Sequence, residues 1–311
     1  MNGLDPQAAQ LLKAFGESGA PRLETLSPEA ARRQFAASRA AAAGAAPVAV
    51  GQVEDHRLPT DPALDIRIYR PQAARQAVSG TLIFLHGGGW VLGDLDSHDR
   101  LCRRLCRGAG ITVVSLDYAL SPEAAFPGPL LQCAQAVRWI HAHGDALGLE
   151  TGDLVLAGDS AGGNMAAALS LMAARGDLPA PKLQLLFYPC LDLADPGTGI
   201  AGVDLIIGPQ TMDWFFGHYV QEARQRDDWR ASPLRAGDMA GVAPAYILTA
   251  GFDLMCGQGR AFAERLRDAG VAVVHDHVPG QIHAFLTLGD MTEAQHVIDS
   301  VSTTIRRRLP G

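Results

Sequence analysis

The chain has 311 residues, a formal net charge of −7 and 19% charged residues. An acidic chain of this kind is repelled by phosphate-rich surfaces, so we expect neither nucleic acid nor an anionic membrane as partner. Its five cysteines form no CxxC pair, which indicates reduced thiols in a reducing compartment rather than a metal site. The length is sufficient for one large core. The sequence contains no run of about 20 apolar residues, so we expect no transmembrane helix.

The first 45 residues predict two helices, over 6–15 and 27–43. Ser27 can cap the second helix, because Pro28 follows it at the first helical position. Residues 1–16 contain one lysine and no long apolar core, so we expect no signal peptide. Together with the reduced cysteines, this predicts a cytoplasmic protein.

The rest of the chain alternates between short apolar stretches that predict strands and patterns that predict helices. The strand patterns cover residues 64–69, 81–85, 111–116, 154–156, 183–188, 245–248 and 271–278. Such alternation is typical of an α/β fold with a mostly parallel sheet and helices on both faces.

A run of glycines follows the second of these strands, in the sequence HGGGW at residues 86–90. Three consecutive glycines at the carboxyl end of a strand allow backbone N–H groups to point into a cleft, as a developing oxyanion requires. A phosphate-binding loop is the alternative. No GKS or GxGxxG pattern accompanies the glycines, however, so the oxyanion interpretation is favoured.

The segment AGDSAGG at residues 157–163 follows the strand over 154–156. Ser160 lies between Gly158 and Gly162, which is the GxSxG pattern of a nucleophile elbow, a sharp turn from strand to helix. A purely structural turn is the alternative. We expect Asp159 to anchor this turn or a neighbouring loop, because a residue adjacent to the serine cannot reach across to a base.

A serine nucleophile needs an acid and a histidine base, which follow it in the order serine, acid, histidine in this architecture. Asp253 and Asp192 each follow a predicted apolar strand. The strand pattern leaves both open as the acid, and Asp253 is the working choice.

Several histidines follow these acids in the chain, namely His275, His277, His283 and His296. Two of them fall in the strand pattern 271–278, where both face one side of a sheet edge, and His296 falls in a helical pattern. His283 lies beyond a predicted turn at Pro279 and Gly280, on a loop where an imidazole can reach the serine. The sequence therefore predicts His283 as the base.

The segment 194–230 carries large apolar side chains among loop residues. They are Leu205, Ile206, Ile207, Met212, Trp214, Phe215, Phe216 and Tyr219. Ordinary core packing accounts for any one of them.

Together these motifs resemble the hormone-sensitive-lipase-like branch of the α/β-hydrolases, bacterial carboxylesterases with an HGGGW loop and a GDSAGG elbow. The similarity extends over nearly the whole chain and includes DYALSPE at 117–123, similar to the family's DYRLAPE segment. It implies a serine carboxylesterase that acts on small-molecule, short-chain acyl esters without metal or cofactor. An amide, carbamate, lactone or acetylated substrate is an alternative, as is a non-catalytic ligand-binding protein.

Carried over to this chain, the resemblance implies a catalytic triad of Ser160, Asp253 and His283. It implies an oxyanion hole formed by the backbone N–H groups of Gly88, Gly89 and Ala161. The family usually has DPLRDEG where this chain has DLMCGQG at 253–259. We therefore expect a looser or differently bonded loop after the acid.

The resemblance also implies how the chain is divided. Cap helices are expected in residues 1–45 and a cap segment in 194–230, with the α/β-hydrolase core in 46–193 and 231–311. Some apolar side chains of the cap should line an acyl or alcohol pocket. Because the family often forms dimers through its last strand and helix, here about 271–308, a homodimer is expected.

Overall fold

The structure, a computed structural model, describes residues 3–42, 46–72, 78–195, 197, 203 and 205–309. The end of the second predicted helix at Ala43 lies outside the described residues. So do positions 196, 198–202 and 204 of the predicted cap segment. Within the described ranges, no helix is both long and apolar enough to cross a membrane.

An eight-stranded sheet forms the centre of the molecule. Its strands are β1 (Gln52–Leu58), β2 (Leu64–Arg70), β3 (Thr81–Leu85), β4 (Thr112–Asp117), β5 (Leu154–Asp159), β6 (Leu183–Phe187), β7 (Ala245–Phe252) and β8 (Val273–Ile282). They lie in the order β1-β2-β4-β3-β5-β6-β7-β8. Only the pairs β1–β2 and β2–β4 are antiparallel, which confirms the predicted mostly parallel sheet.

Eight α-helices surround this sheet in the described part of the chain. They are α1 (Pro6–Glu17), α2 (Pro28–Ala42), α3 (Asp99–Ala109), α4 (Gly128–His143), α5 (Ala161–Ala174), α6 (Pro209–Tyr219), α7 (Cys256–Asp268) and α8 (Thr292–Arg308). Short 3₁₀ turns cover Leu23–Thr25, Gly144–Leu147, Ala223–Asp227 and Pro233–Arg235.

The two faces of the sheet carry separate hydrophobic cores. Successive side chains of a strand point to opposite faces, so in β3 Leu82 and Phe84 pack with α3 and α8, whereas Ile83 and Leu85 pack with α4, α5 and α7. Every residue of β3 is buried, as expected for a parallel strand covered on both sides. The α/β-hydrolase architecture with helices on both faces is therefore as predicted.

Strand β1 was not predicted, because its sequence has no apolar run. It is an edge strand held to β2 partly by charged cross-strand partners. Arg67 binds Asp55 at 2.7 Å, and Arg57 binds Asp65 at 3.0 Å. Such pairs stabilise a sheet without giving a hydrophobic signal in the sequence.

The predicted turn at Pro279 and Gly280 is wrong. Strand β8 continues through both residues to Ile282, with a shift in register against β7 between Ala250 and Phe252. A proline is tolerated here because β8 is the last strand of the sheet. Beside it, the Asp5 N–H donates to the Gly280 carbonyl oxygen at 2.9 Å. The next residue, His283, therefore leaves the sheet directly from the end of a strand.

The N-terminal helices are joined to the core through Ala8 and Ala31, which are buried in the two hydrophobic cores, and through polar contacts. The Ser27 hydroxyl accepts from the Ala30 N–H at 3.3 Å, as the predicted cap requires. Arg32 of α2 donates to the carbonyl oxygens of Val91 and Ser121, both at 2.8 Å. These contacts hold α2 above the carboxyl ends of the central strands.

Candidate active site

Ser160 lies at the turn between β5 and α5, with φ 54° and ψ −115°. This backbone conformation is strained for a residue with a side chain. The chain can turn so sharply because Gly162 touches β3: a Cβ there would lie 1.9 Å from the carbonyl oxygen of Leu85. The Ser160 N–H donates to Phe187 O at 2.9 Å, which ties the turn to β6. The turn therefore presents the hydroxyl above the sheet.

A hydrogen-bonded chain links three of the predicted residues. The Nε2 atom of His283 lies 2.9 Å from Ser160 Oγ, and its Nδ1 atom lies 2.8 Å from Asp253 Oδ2. Asp253 is buried, and its Oδ1 accepts from the Met255 N–H at 3.0 Å. A carboxylate on Nδ1 favours the tautomer whose Nε2 lone pair faces the serine. The arrangement can therefore remove a proton from the hydroxyl.

The rival acid, Asp192, is engaged elsewhere. Its carboxylate binds Arg235 Nε at 2.8 Å and accepts from the Ala194 N–H at 3.0 Å. The structure thus brings Asp253, and not Asp192, to His283.

The three other histidines considered as the base lie away from the serine. Both histidines within β8, His275 and His277, contact the hydroxyl of Thr249, at 2.9 and 3.0 Å. His296 is exposed on α8 beside Glu293. None of the three is among the described residues that line the cavity containing Ser160.

The glycine run after β3 adopts conformations that favour glycine. Gly88 and Gly89 have φ values of 118° and 61°. A Cβ on Gly89 would lie 2.1 Å from the ring of Phe215. Ala161 is the first residue of α5, where a backbone N–H has no partner within its own helix. Both glycines and Ala161 line the same cavity as Ser160.

Asp159, next to the nucleophile candidate, holds the glycine run. Its Oδ1 accepts from the Gly87 N–H at 2.7 Å and lies 3.2 Å from His98 Nε2. Burial opposes ionisation of Asp159, but His98, the Gly87 N–H and Arg39 outweigh it and keep its pKa below the usual value. The expectation that Asp159 anchors a neighbouring loop fits these contacts. No sequence motif pointed to His98.

His86 fixes the start of the glycine run. Its ring stacks on Tyr118 with centroids 4.2 Å apart, and the Tyr118 hydroxyl donates to the His86 carbonyl oxygen at 2.6 Å. Burial lowers the pKa of His86 to about 4. The imidazole is therefore neutral at pH 7, and its Nδ1 can donate to Gly87 O at 2.8 Å.

A cavity of about 550 Å³ opens above Ser160 and His283. Its walls are mainly apolar and come from α1, α2, α6 and the segment leading into α6. They include Leu11, Phe15, Phe35, Ile206, Ile207, Met212 and Phe215. Four of the apolar residues singled out between 194 and 230 thus face the cavity, whereas Leu205, Phe216 and Tyr219 are buried in the core.

The loop after Asp253 departs from the family pattern and is bonded in its own way. Gln258 accepts from the N–H groups of Leu191 and Asp192 at 2.6 and 3.0 Å, and it donates to the Asp192 carbonyl oxygen at 3.0 Å. Leu254 and Met255 are buried. The alternative of a differently bonded loop therefore describes it better than a looser one.

Comparison with known proteins identifies the family of the chain. A family model described as alpha/beta hydrolase fold matches residues 82–287. The chain is 36% identical over 305 residues to the ethyl acetate hydrolase of Pseudomonas putida, covering 93% of this chain and 94% of that protein.

Two solved structures are similar over almost their full lengths. A thermostable esterase from Pseudomonas putida has a TM-score of 0.90 at 30% identity, covering 100% of this chain and 99% of that one. An ester hydrolase from the metagenome of Lake Arreo, complexed with a bipyridine phosphonate derivative, has a TM-score of 0.90 at 33% identity, covering 98% of both chains. The chain belongs to the hormone-sensitive-lipase-like carboxylesterase family of the α/β-hydrolases, and it is a carboxylic ester hydrolase.

Proposed function

We propose that the protein is a serine carboxylesterase that hydrolyses short-chain acyl esters through an acyl-enzyme intermediate. Ser160 is the nucleophile, His283 the base and Asp253 the acid that orients the base. The observation that carries this proposal is the continuous path from Ser160 Oγ through the imidazole to a buried carboxylate, with contacts of 2.9 and 2.8 Å.

In the acylation step, His283 Nε2 takes the hydroxyl proton as Ser160 Oγ attacks the ester carbonyl carbon. Asp253 stabilises the imidazolium that forms. The negative charge on the carbonyl oxygen is received by backbone N–H groups of Gly88, Gly89 and Ala161. Each such donor contributes about 3 kcal/mol to transition-state stabilisation in serine hydrolases. The intermediate then collapses, and the imidazolium gives its proton to the leaving alcohol.

In the deacylation step, a water molecule enters the site after the alcohol has left and attacks the acyl-enzyme. His283 removes a proton from this water as it attacks the acyl carbonyl, and the same N–H groups receive the oxyanion. The imidazolium returns its proton to Ser160 Oγ, which releases the carboxylic acid. Each step uses only side chains and backbone groups of this chain.

The preference for short acyl chains rests on the cavity. A volume of about 550 Å³ falls within the range of small-molecule pockets, roughly 300–1,000 Å³. The name of the similar Pseudomonas protein, ethyl acetate hydrolase, also favours a small ester. The same machinery can cleave an amide, carbamate, lactone or acetylated small molecule. A ligand-binding protein without turnover is disfavoured by the aligned hydroxyl and imidazole.

We also propose that residues 1–45 and 194–230 form a cap over a core built from 46–193 and 231–311. Side chains of α1 and α2 line the cavity together with Ile206, Ile207 and Met212. The strand ends supply the polar groups beneath them.

Homodimer formation and a cytoplasmic location stay predictions. The position of β8 as the last strand of the sheet and its half-exposed Val274 support a dimer through this strand. All five cysteines are free thiols, which supports a reducing compartment. Light scattering during size-exclusion chromatography tests the dimer, and a monomer at micromolar concentration would contradict it.

The proposed function is tested with p-nitrophenyl esters from acetate to palmitate, using wild type and Ser160→Ala. We expect wild type to prefer the short chains and the variant to fall to the uncatalysed rate. If wild type hydrolyses none of these esters, the function must be sought among amides or binding proteins.

A further inference from the structure

One positively charged side chain lines the otherwise largely apolar cavity beside Ser160 without a role in the proposed reaction. Of the described residues that line this cavity, only Arg39 carries a permanent positive charge. It projects from α2, in a wall that includes Phe15 and Phe35. Burying a charged guanidinium in such a wall costs free energy unless hydrogen bonds or an opposite charge compensate for the lost water.

The contacts of Arg39 leave part of its guanidinium unused. Its Nη1 donates to Thr287 O at 2.6 Å, and its guanidinium carbon lies 4.6 Å from the centre of the Phe35 ring. Its Nε–H is buried and has no hydrogen-bond partner among the described residues. A side chain with five N–H donors therefore keeps donors for another group.

The nearest negative charge does not use these donors. Asp159 attracts Arg39 electrostatically, but its two oxygens bind the Gly87 N–H and face His98. Burial lowers the pKa of Arg39, although an arginine stays protonated at any pH the enzyme would meet. An anion entering the cavity would offset this unfavourable desolvation.

We infer that Arg39 binds a carboxylate on the substrate, so that the preferred substrates are esters that carry a second, free carboxylate, such as monoesters of dicarboxylic acids. The planar guanidinium matches a carboxylate, and such charge-assisted hydrogen bonds are among the stronger ones in proteins. This inference rests on the proposed esterase function and adds a substrate class to it.

The test compares two esters that differ in charge but not in shape, monomethyl glutarate and its terminal amide, methyl 5-amino-5-oxopentanoate. Hydrolysis is followed by acid release at constant pH for wild type, Arg39→Gln and Arg39→Lys. We expect wild type to have the higher kcat/KM for the carboxylate ester. Arg39→Gln should lower that value by about 10- to 100-fold, the effect of losing one charge-assisted contact.

The matched control is Arg33→Gln, which removes an exposed arginine from the same helix. It should leave both kcat/KM values within about twofold of wild type, since exposed charges interact weakly. Arg39→Lys keeps the charge and should keep part of the preference for the carboxylate ester. The expected signature is a change in the ratio of the two kcat/KM values.

Arg39 also holds the carbonyl of Thr287, four residues after His283, so a purely structural role must be distinguished. If Arg39→Gln lowers kcat/KM for the carboxylate ester and the amide ester equally, the residue acts through that contact and the inference is overturned. A wild type that hydrolyses the amide ester but shows no preference for the carboxylate ester also overturns it, while the esterase function stands. If wild type hydrolyses neither these esters nor methyl butyrate, the proposed function itself fails.

Discussion

The lower and upper walls of the active-site cavity are built in different ways. Below, the ends of β3, β5, β7 and β8 are in backbone contact: Cβ atoms on Gly162 and Gly251 would lie 1.9 and 2.1 Å from carbonyl oxygens of other segments. Above, α2 is held by side-chain contacts: Arg32 donates to Val91 O and Ser121 O and pairs with Glu123, and Ala31 packs in the core. The lower wall is therefore fixed by close contacts between backbone segments, whereas the upper wall is fixed by contacts of side chains.

The two walls have different tasks: the lower wall positions the reacting atoms, and the upper wall selects the substrate. The reacting atoms must be held within a few tenths of an ångström, and the backbone contacts of the lower wall do this. The upper wall sets the size, polarity and charge of the cavity. We therefore expect changes below to affect all esters alike and changes above to alter which ester is preferred.

The largest effect is expected when Asp253, the proposed acid in the lower wall, is changed. Asp253→Asn should reduce kcat by about a thousand- to ten-thousand-fold for every ester, because an amide no longer favours the tautomer that accepts the serine proton. Steady-state kinetics with p-nitrophenyl acetate and butyrate measure this. Asp192→Asn is the matched control and should keep kcat near wild type. An equal loss in both variants would contradict the assignment of the acid.

The second effect concerns the backbone contact beneath the nucleophile. Gly162→Ala should lower the free energy of unfolding by about 3 kcal/mol, because its Cβ meets the Leu85 carbonyl. Gly217→Ala, inside α6, should instead raise it by up to about 1 kcal/mol, because among the described residues no atom outside the surrounding helix backbone lies within 4 Å of the new Cβ. Urea unfolding measures both values. If the two variants change the free energy of unfolding equally, the backbone around Gly162 shifts readily to accommodate the added Cβ.

The third effect lies in the upper wall. Phe15→Ala should enlarge the cavity and raise kcat/KM for p-nitrophenyl hexanoate relative to acetate by about fivefold, since added hydrophobic contact is worth this order of discrimination. Leu131→Ala, at a half-exposed residue of α4, should leave the ratio unchanged. An equal fall in kcat/KM for all acyl-chain lengths would show that α1 helps to position the substrate rather than to select its acyl chain.

The smallest effect is on stability and depends on pH. Burial, with repulsion from Asp94 and Asp65, raises the pKa of Asp117 to about 6. Its ionised form therefore destabilises the fold above pH 6, and this penalty is lost as the pH falls towards 4. After allowance for solvent screening, Asp117→Asn should stabilise by about 1 kcal/mol at pH 8. Unfolding at pH 8 and pH 5 should show a smaller gain at pH 5, and a pH-independent gain would contradict the cause.

Local demands of the backbone explain what the sequence could predict. The GDSAGG and HGGGW patterns can be recognised because each needs glycine at fixed positions, and buried parallel strands have continuous apolar runs. Chain order limited the acid to Asp192 or Asp253 and the base to four histidines, and the structure places Asp253 and His283 in a hydrogen-bonded chain with Ser160.

Contacts between distant segments explain what the sequence could not predict. The polar strand β1 exists because its charges face partners on β2. The extension of β8 through Pro279 depends on its place as the last strand of the sheet. His98 and Arg39 reach the site from a loop and a helix that carry no motif, so only the fold shows their position.

The central claim is that Ser160 forms the covalent intermediate. The most direct measurement is labelling with diethyl p-nitrophenyl phosphate, followed by intact-protein and peptide mass spectrometry on wild type and Ser160→Ala. The account predicts one phosphoryl group per chain on Ser160, loss of esterase activity in step with labelling, and no labelling of the variant. Labelling of another residue, or equal labelling of Ser160→Ala, would contradict it.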